Sequence, residues 1–250
     1  MIAAVQKPIK ERPILFKAEM IKAILSGNKR QTRRTVKPLT NPRIAPETLT
    51  PWIIDGVQEV DNNGSPCWAG THPDYPTGEK WFSCPYGKVG DRLWVREEML
   101  VTSYASGGEG AESCITVEYC ADGSTSETLL YPERLKSKPE VGKKLAYGGY
   151  REASRILLEI TNVRVERIAD ISPEDAIAEG IESDYCAAIL QNIAYKDYSL
   201  KPTKSVKENW LSCPVQSFKT LWNSINEVRG YSWDVNPWVW VIDFEIFDNQ

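Results

Sequence analysis

The stretch from Ile24 to Lys37, I-L-S-G-N-K-R-Q-T-R-R-T-V-K, places Lys29, Arg30, Arg33, Arg34 and Lys37 around the hydroxyls of Thr32 and Thr35, with no acid among them. A helix end accounts for some of this charge, since cations complement the negative pole of the helix dipole by about 0.3–1 kcal/mol each. Five cations between positions 29 and 37 exceed that need. A cationic loop carrying hydroxyls suits an anion or a polar heterocycle. The second residue set against its local preference is Glu179, a carboxylate in the last turn of a short helix, where the dipole disfavours it.

These residues need elements to hold them. Arg12 to Phe16, R-P-I-L-F, reads as an opening strand. Met20, Ile21, Ile24 and Leu25 fall on one helix face, and Gly27 supplies the left-handed residue that ends it. T-R-R-T-V-K then reads as a second strand ending at Pro38. In Val89 to Met99, a Gly-Asp turn opens a strand with Leu93 and Val95 on one face and Trp94 and Arg96 on the other. Cys114 to Cys120 is a further strand, stopped by Asp122 and Gly123, and residues 124 to 150 read as loop. Ser154 to Ile168 is the longest strand, with a bulge expected at Thr161 and Asn162 where the alternation changes phase. In D-I-S-P-E-D-A-I-A-E-G-I, Ser172 caps a helix over Pro173 to Glu179, with Pro173 at its first position and Gly180 as its stop. Phe218, Leu221, Trp222 and Ile225 mark an amphipathic helix, and P-W-V-W-V-I-D-F-E-I-F a closing strand. The segments at about 39–88, with Trp52, Trp68 and Trp81, and at 183–213 show no sustained period and read as insertions. Short strands with three short helices, without regular βα alternation, imply an α+β fold around a small, mostly antiparallel barrel.

Composition narrows the function. The chain has 250 residues, 42% hydrophobic and 26% charged, enough for a substantial core, and a formal net charge of −4. That charge argues against a surface built for long duplex nucleic acid and leaves room only for a local basic site. His72 is the single histidine, which removes serine-type triads and histidine-rich metal centres. Cys67, His72 and Cys84 have the chemistry of zinc ligands but match no closed spacing, and they read as loop residues. Six cysteines without a C-x-x-C pair imply free thiols in a reducing cytoplasm. The sequence contains no run near the roughly 20 apolar residues needed to cross a bilayer, so a soluble protein is expected.

P-I-L-F with M-I-K-A-I-L-S-G-N-K-R-Q-T-R-R, C-P-Y-G-K-V-G-D-R-L-W-V-R-E, I-S-P-E-D-A-I-A-E-G-I and N-P-W-V-W-V-I-D-F together resemble the ASCH-domain family in its larger bacterial and phage-associated form. The resemblance covers the regular segments and leaves out the insertions. It implies a single PUA-like domain over residues 12–250, a barrel with short flanking helices, preceded by a tail at 1–11. Family members that release the acyl group of N4-acetylcytidine use a lysine, a threonine three residues later and a glutamate near the end of a short helix. The matching positions here are Lys29, Thr32 and Glu179.

The resemblance thus implies an amidohydrolase, with no metal or organic cofactor implied, and no obligate protein partner is evident from the sequence. Its substrate would be a small modified pyrimidine nucleoside. In that role Thr32 attacks the acyl carbon, Lys29 takes its proton, and Glu179 acts as the acid and base. An alternative leaves Glu179 to activate water and Lys29 to stabilise the oxyanion. Arg34 and Arg96 are the expected donors to the substrate, and Phe16 or Trp94 the stacking surface. The competing readings are a module that binds RNA or a modified base without chemistry, and a ribonuclease, both using the same basic cleft. On a plain strand Lys29 and Thr32 would face opposite ways, so an irregular chain between Gly27 and Thr32 is required.

Overall fold

The structure, a computed structural model, describes residues 9–36, strand pieces at 49–51, 53–54, 57–58 and 68–70, and residues 84–108, 112–135, 138–145, 149–186, 192–199 and 210–248. In chain order the elements are β1 (Glu11–Leu15), α1 (Ala18–Leu25), β2 (Gln31–Thr35), β3 (Leu49–Pro51), β4 (Ile53–Ile54), β5 (Val57–Gln58), β6 (Trp68–Gly70), β7 (Arg92–Arg96), β8 (Met99–Ala105), β9 (Cys114–Tyr119), β10 (Leu129–Leu130), β11 (Leu157–Arg167), α2 (Pro173–Ala178), β12 (Ser183–Cys186), β13 (Asn192–Lys196), β14 (Trp210–Leu211), α3 (Pro214–Asn226) and β15 (Trp238–Ile246). The fold is α+β. Among the described residues the strand order is open, and no helix is long and apolar enough to cross a membrane.

The chain forms two compact units. The first comprises residues 1–26, 90–159 and 246–250. In it β1 runs parallel to β7, and β7 pairs antiparallel with the start of β11. Alternation along β7 buries Leu93 and Val95 as the sequence predicts, and leaves Trp94 and Arg96 half-buried. The sequence reads one strand through Met99; the structure ends it at Arg96 and starts β8 at Met99. Between them Glu97, in phase with buried Leu93 and Val95, is 1% exposed and meets Arg155 through two hydrogen bonds of 2.9 Å. A buried carboxylate requires such a partner. β8 and β9 then form a hairpin over a core of Met99, Val101, Ile115, Val117, Tyr119, Tyr131 and Tyr150.

The second unit comprises residues 27–89 and 160–245. In it β15 lies between β11 and β2, pairing antiparallel with β2 in the register Gln31–Asp243, Thr32–Ile242 and Arg33–Val241. Burial along β11 changes phase at Thr161 and Asn162, both exposed, so that Ile160 and Val163 are both buried three residues apart. The segment expected to be an irregular insertion at 183–213 carries a small antiparallel sheet, β12–β13–β14. S-D-Y-C and N-I-A-Y-K are too short and too mixed in polarity to show a period, and only the pairing itself makes them strands. Of the 39–88 segment, β3 pairs with β6 and β4 with β5; Cys67, His72 and the tryptophans at 52 and 81 lie outside the described residues. Phe218 and Trp222 of α3 pack with Ile168, Ile171, Ala176, Val239 and Val241.

α2 is the element that delivers Glu179. The Ser172 side chain accepts a hydrogen bond from the Asp175 amide at 3.1 Å, Pro173 fills the first position, and Gly180 at φ +80 turns the chain away. Ser172→Ala is expected to lower the stability of the protein by about 1 kcal/mol, read as a lower urea midpoint. An unchanged midpoint would show that tertiary packing alone holds the helix.

Candidate active site

Gly27, at φ +75, takes the chain out of α1, and Lys29 then forms an isolated antiparallel bridge with Glu179. At Arg30 the chain changes partners: its amide donates to Ala178 O at 2.9 Å, and its carbonyl accepts from the Phe244 amide at 2.9 Å. β2 begins only at Gln31. The chain between Gly27 and Thr32 is therefore not a plain strand, which is the irregularity the sequence demanded.

Lys29 and Glu179 meet inside the second unit, with side chains 1% and 5% exposed. Lys29 Nζ donates to Glu179 Oε2 at 2.9 Å, to Glu179 O at 2.7 Å and to Gln31 O at 2.8 Å. The ammonium thus caps the C-terminal end of α2, and this resolves the oddity of an acid placed there. Burial pushes Lys29 below the ordinary lysine value of 10.5; the charge and hydrogen bond of Glu179 oppose this, while Arg34 and Arg33 reinforce it.

The sign of the linkage follows. A base with a lowered folded pKa binds fewer protons folded than unfolded in the window below 10.5, so its contribution to stability rises with pH across that window. Urea unfolding at a series of pH values up to the ordinary lysine value is expected to show wild type gaining on Lys29→Met as pH rises. A flat or falling difference would reverse the assignment.

Thr32 is 3% exposed and pairs across to Ile242, one position beyond Gln31. Strand alternation sets it with Arg34 on the face opposite Gln31 and Arg33. The charge of Arg34 disfavours the ammonium of Lys29, and the charge of Glu179 favours the guanidinium of Arg34. Burial pushes the Arg34 guanidinium below its ordinary value, with Tyr86 and Glu179 pulling it back. Tyr86 is pushed up by burial and eased down by Arg34. The remaining expected contacts belong to the first unit. There Phe16 is 3% exposed, its amide donating to Arg96 O at 3.2 Å, and Trp94 and Arg96 share one half-buried face of β7.

Sequence reasoning missed the residues behind the pair. Arg33, whose side chain is fully buried, donates to Glu179 Oε1 at 3.3 Å, Asp175 Oδ2 at 2.9 Å and Glu166 Oε2 at 3.0 Å, and bonds Gln31 Oε1. Arg164 joins Glu166, Asp175 and Asp243. Burial disfavours ionised Asp175, but hydrogen bonds from Arg33 and Gln31 and the charge of Arg164 outweigh it and hold the carboxyl below its usual value. One signal was legible: Asp243 is a lone acid inside the apolar run V-W-V-I-D-F. No protein-family model, no curated protein and no solved structure matches this chain.

Proposed function

We propose that this chain is a metal-independent amidohydrolase that removes the acyl group from N4-acylated cytosine or cytidine, built on an ASCH domain of the PUA-like barrel class spanning residues 12–250. The observation that carries this reading is the contact of Lys29 with Glu179 in a site almost closed to solvent. A proton passed from Lys29 to Glu179 across this 2.9 Å contact converts a buried ion pair into a neutral amine and a neutral acid. Burial lowers the Lys29 pKa and so favours its neutral form as the base.

The exchange yields the base and the acid that amide hydrolysis needs. Thr32 Oγ1 attacks the acyl carbon and its proton goes to Lys29 Nζ. The tetrahedral intermediate collapses, the C–N bond breaks, and Glu179 protonates the departing N4 amine. Water then attacks the acyl ester of Thr32 and gives its proton to Glu179. The ester bond breaks, and Lys29 returns a proton to Thr32.

The ionic structure also weighs against a polyanion ligand. Lys29 and Arg33 are already paired with Glu179, Glu166 and Asp175, so two of the five loop cations are neutralised by this chain's own acids. The test is the hydrolysis of N4-acetylcytidine, followed by absorbance at low and high salt. Turnover nearly independent of salt is expected. Inactivity toward N4-acetylcytidine and bulkier N4-acyl analogues, together with RNA binding that weakens steeply with salt, would replace the hydrolase reading with the binding one.

A further inference from the structure

We propose that Arg33 is a positioning residue of this site: anchored on Glu166 and Asp175, it holds the Glu179 carboxylate in contact with Lys29. Its catalytic consequence rests on the hydrolase reading; its structural role does not.

The geometry carries the argument. A fully buried guanidinium requires acceptors, and those of Arg33 are set at fixed points around it. Asp175 and Glu179 lie four residues apart along α2 and its C-cap, hence on one side, and Arg33 reaches both. One side chain on β2 therefore ties down the helix end and the carboxylate that the helix delivers. Behind it the anchors are themselves held. Arg164 bonds Glu166 at 2.5 Å, Asp175 at 2.6 Å and Asp243 at 2.8 Å, and Asn162 bonds Asp243 at 2.9 Å. Gln31 Nε2 bonds Asp175 and Asp243 as well.

The distances show a division of labour. Arg33 stands 3.3 Å from Glu179 Oε1 but 2.9–3.0 Å from Asp175 and Glu166, whereas Lys29 holds Glu179 Oε2 at 2.9 Å. The two outer acids keep the guanidinium from gripping Glu179 with both arms, which would compete with Lys29. Glu179 is thus steered on one oxygen and left engaged with Lys29 on the other. The charged groups acting on Lys29 besides Glu179 are Arg33 and Arg34 from β2; around Arg33 stand Asp175 at the helix and Glu166 from β11, and Arg164 from β11 in turn holds Glu166, Asp175 and Asp243.

The test reads Lys29 directly, through the 13Cε resonance of labelled lysine, assigned by its loss in Lys29→Met. If Arg33 were a bystander charge, Arg33→Met would remove a repelling cation and Lys29 would titrate at higher pH, while Arg33→Lys would leave it unchanged. If Arg33 positions Glu179, both variants release the carboxylate. Lys29 then loses an attraction larger than the repulsion of Arg33, so it titrates at lower pH in both. The downward shift is expected; an upward shift in Arg33→Met, or none in Arg33→Lys, overturns the proposal. Arg33→Lys keeps the buried charge opposite Glu166 and Asp175, so it decides the question even where Arg33→Met fails to fold. With N4-acetylcytidine, both variants are expected to lose about a hundredfold in kcat, as for a displaced reacting group, with KM near wild type. A wild type inactive on this substrate would sink the hydrolase reading while the titration still decides the role of Arg33.

Discussion

Lys29→Met and Glu179→Gln are each expected to slow the hydrolysis of N4-acetylcytidine by about 10²–10⁴-fold, the range over which a positioned acid or base contributes, and Thr32→Ala, at the proposed nucleophile, by at least as much. Thr32→Ala removes the proposed attacking oxygen and little volume, so its loss of rate is the cleanest of the three. Glu179→Gln keeps the shape of the side chain but removes the carboxylate that accepts from Lys29 at 2.9 Å, the proposed partner in proton exchange. Mass spectrometry of wild type during turnover should show acyl-Thr32, and Thr32→Ala should abolish the adduct. A Thr32→Ala protein that keeps the wild-type rate, beside inactive Lys29 and Glu179 variants, would transfer the chemistry to water activated by Glu179, with Lys29 as the oxyanion donor. Full activity in all three variants would remove the site from the reaction altogether.

The second large effect is on stability. Glu179→Ala leaves the Lys29 ammonium buried without its carboxylate, and breaking a buried pair from one side costs about 3–5 kcal/mol. Lys29→Met costs less, because Glu179 keeps Arg33 at 3.3 Å. The double variant Lys29→Met/Glu179→Ala is expected to be more stable than Glu179→Ala, since no isolated ammonium remains inside. Urea denaturation of the four proteins forms a double-mutant cycle, and additive effects would show that the two side chains do not depend on one another.

How much of this was legible before folding depends on the range of the interaction. The end of α1 at Gly27 and the limits of α2 followed from Ser172, Pro173 and Gly180, because capping and left-handed backbone are decided by neighbours in sequence. The alternation of β7 and the buried pair Phe218 and Trp222 on α3 were legible for the same reason. The sheet of β12, β13 and β14 was not, since its strands owe their form to partners and not to their own pattern.

The site divides along the same line. The sequence by itself determined that Lys29 follows a helix-ending glycine, that Thr32 stands three residues on, and that Glu179 closes a capped helix against its dipole. Only the tertiary structure decided that Lys29 and Glu179, 150 residues apart, share a buried contact, and that Arg33, read from sequence as one of five loop cations, reaches 146 residues to the same carboxylate. The physical reason is that a charged side chain's character is set by which groups burial places beside it, and burial is a property of the packed chain.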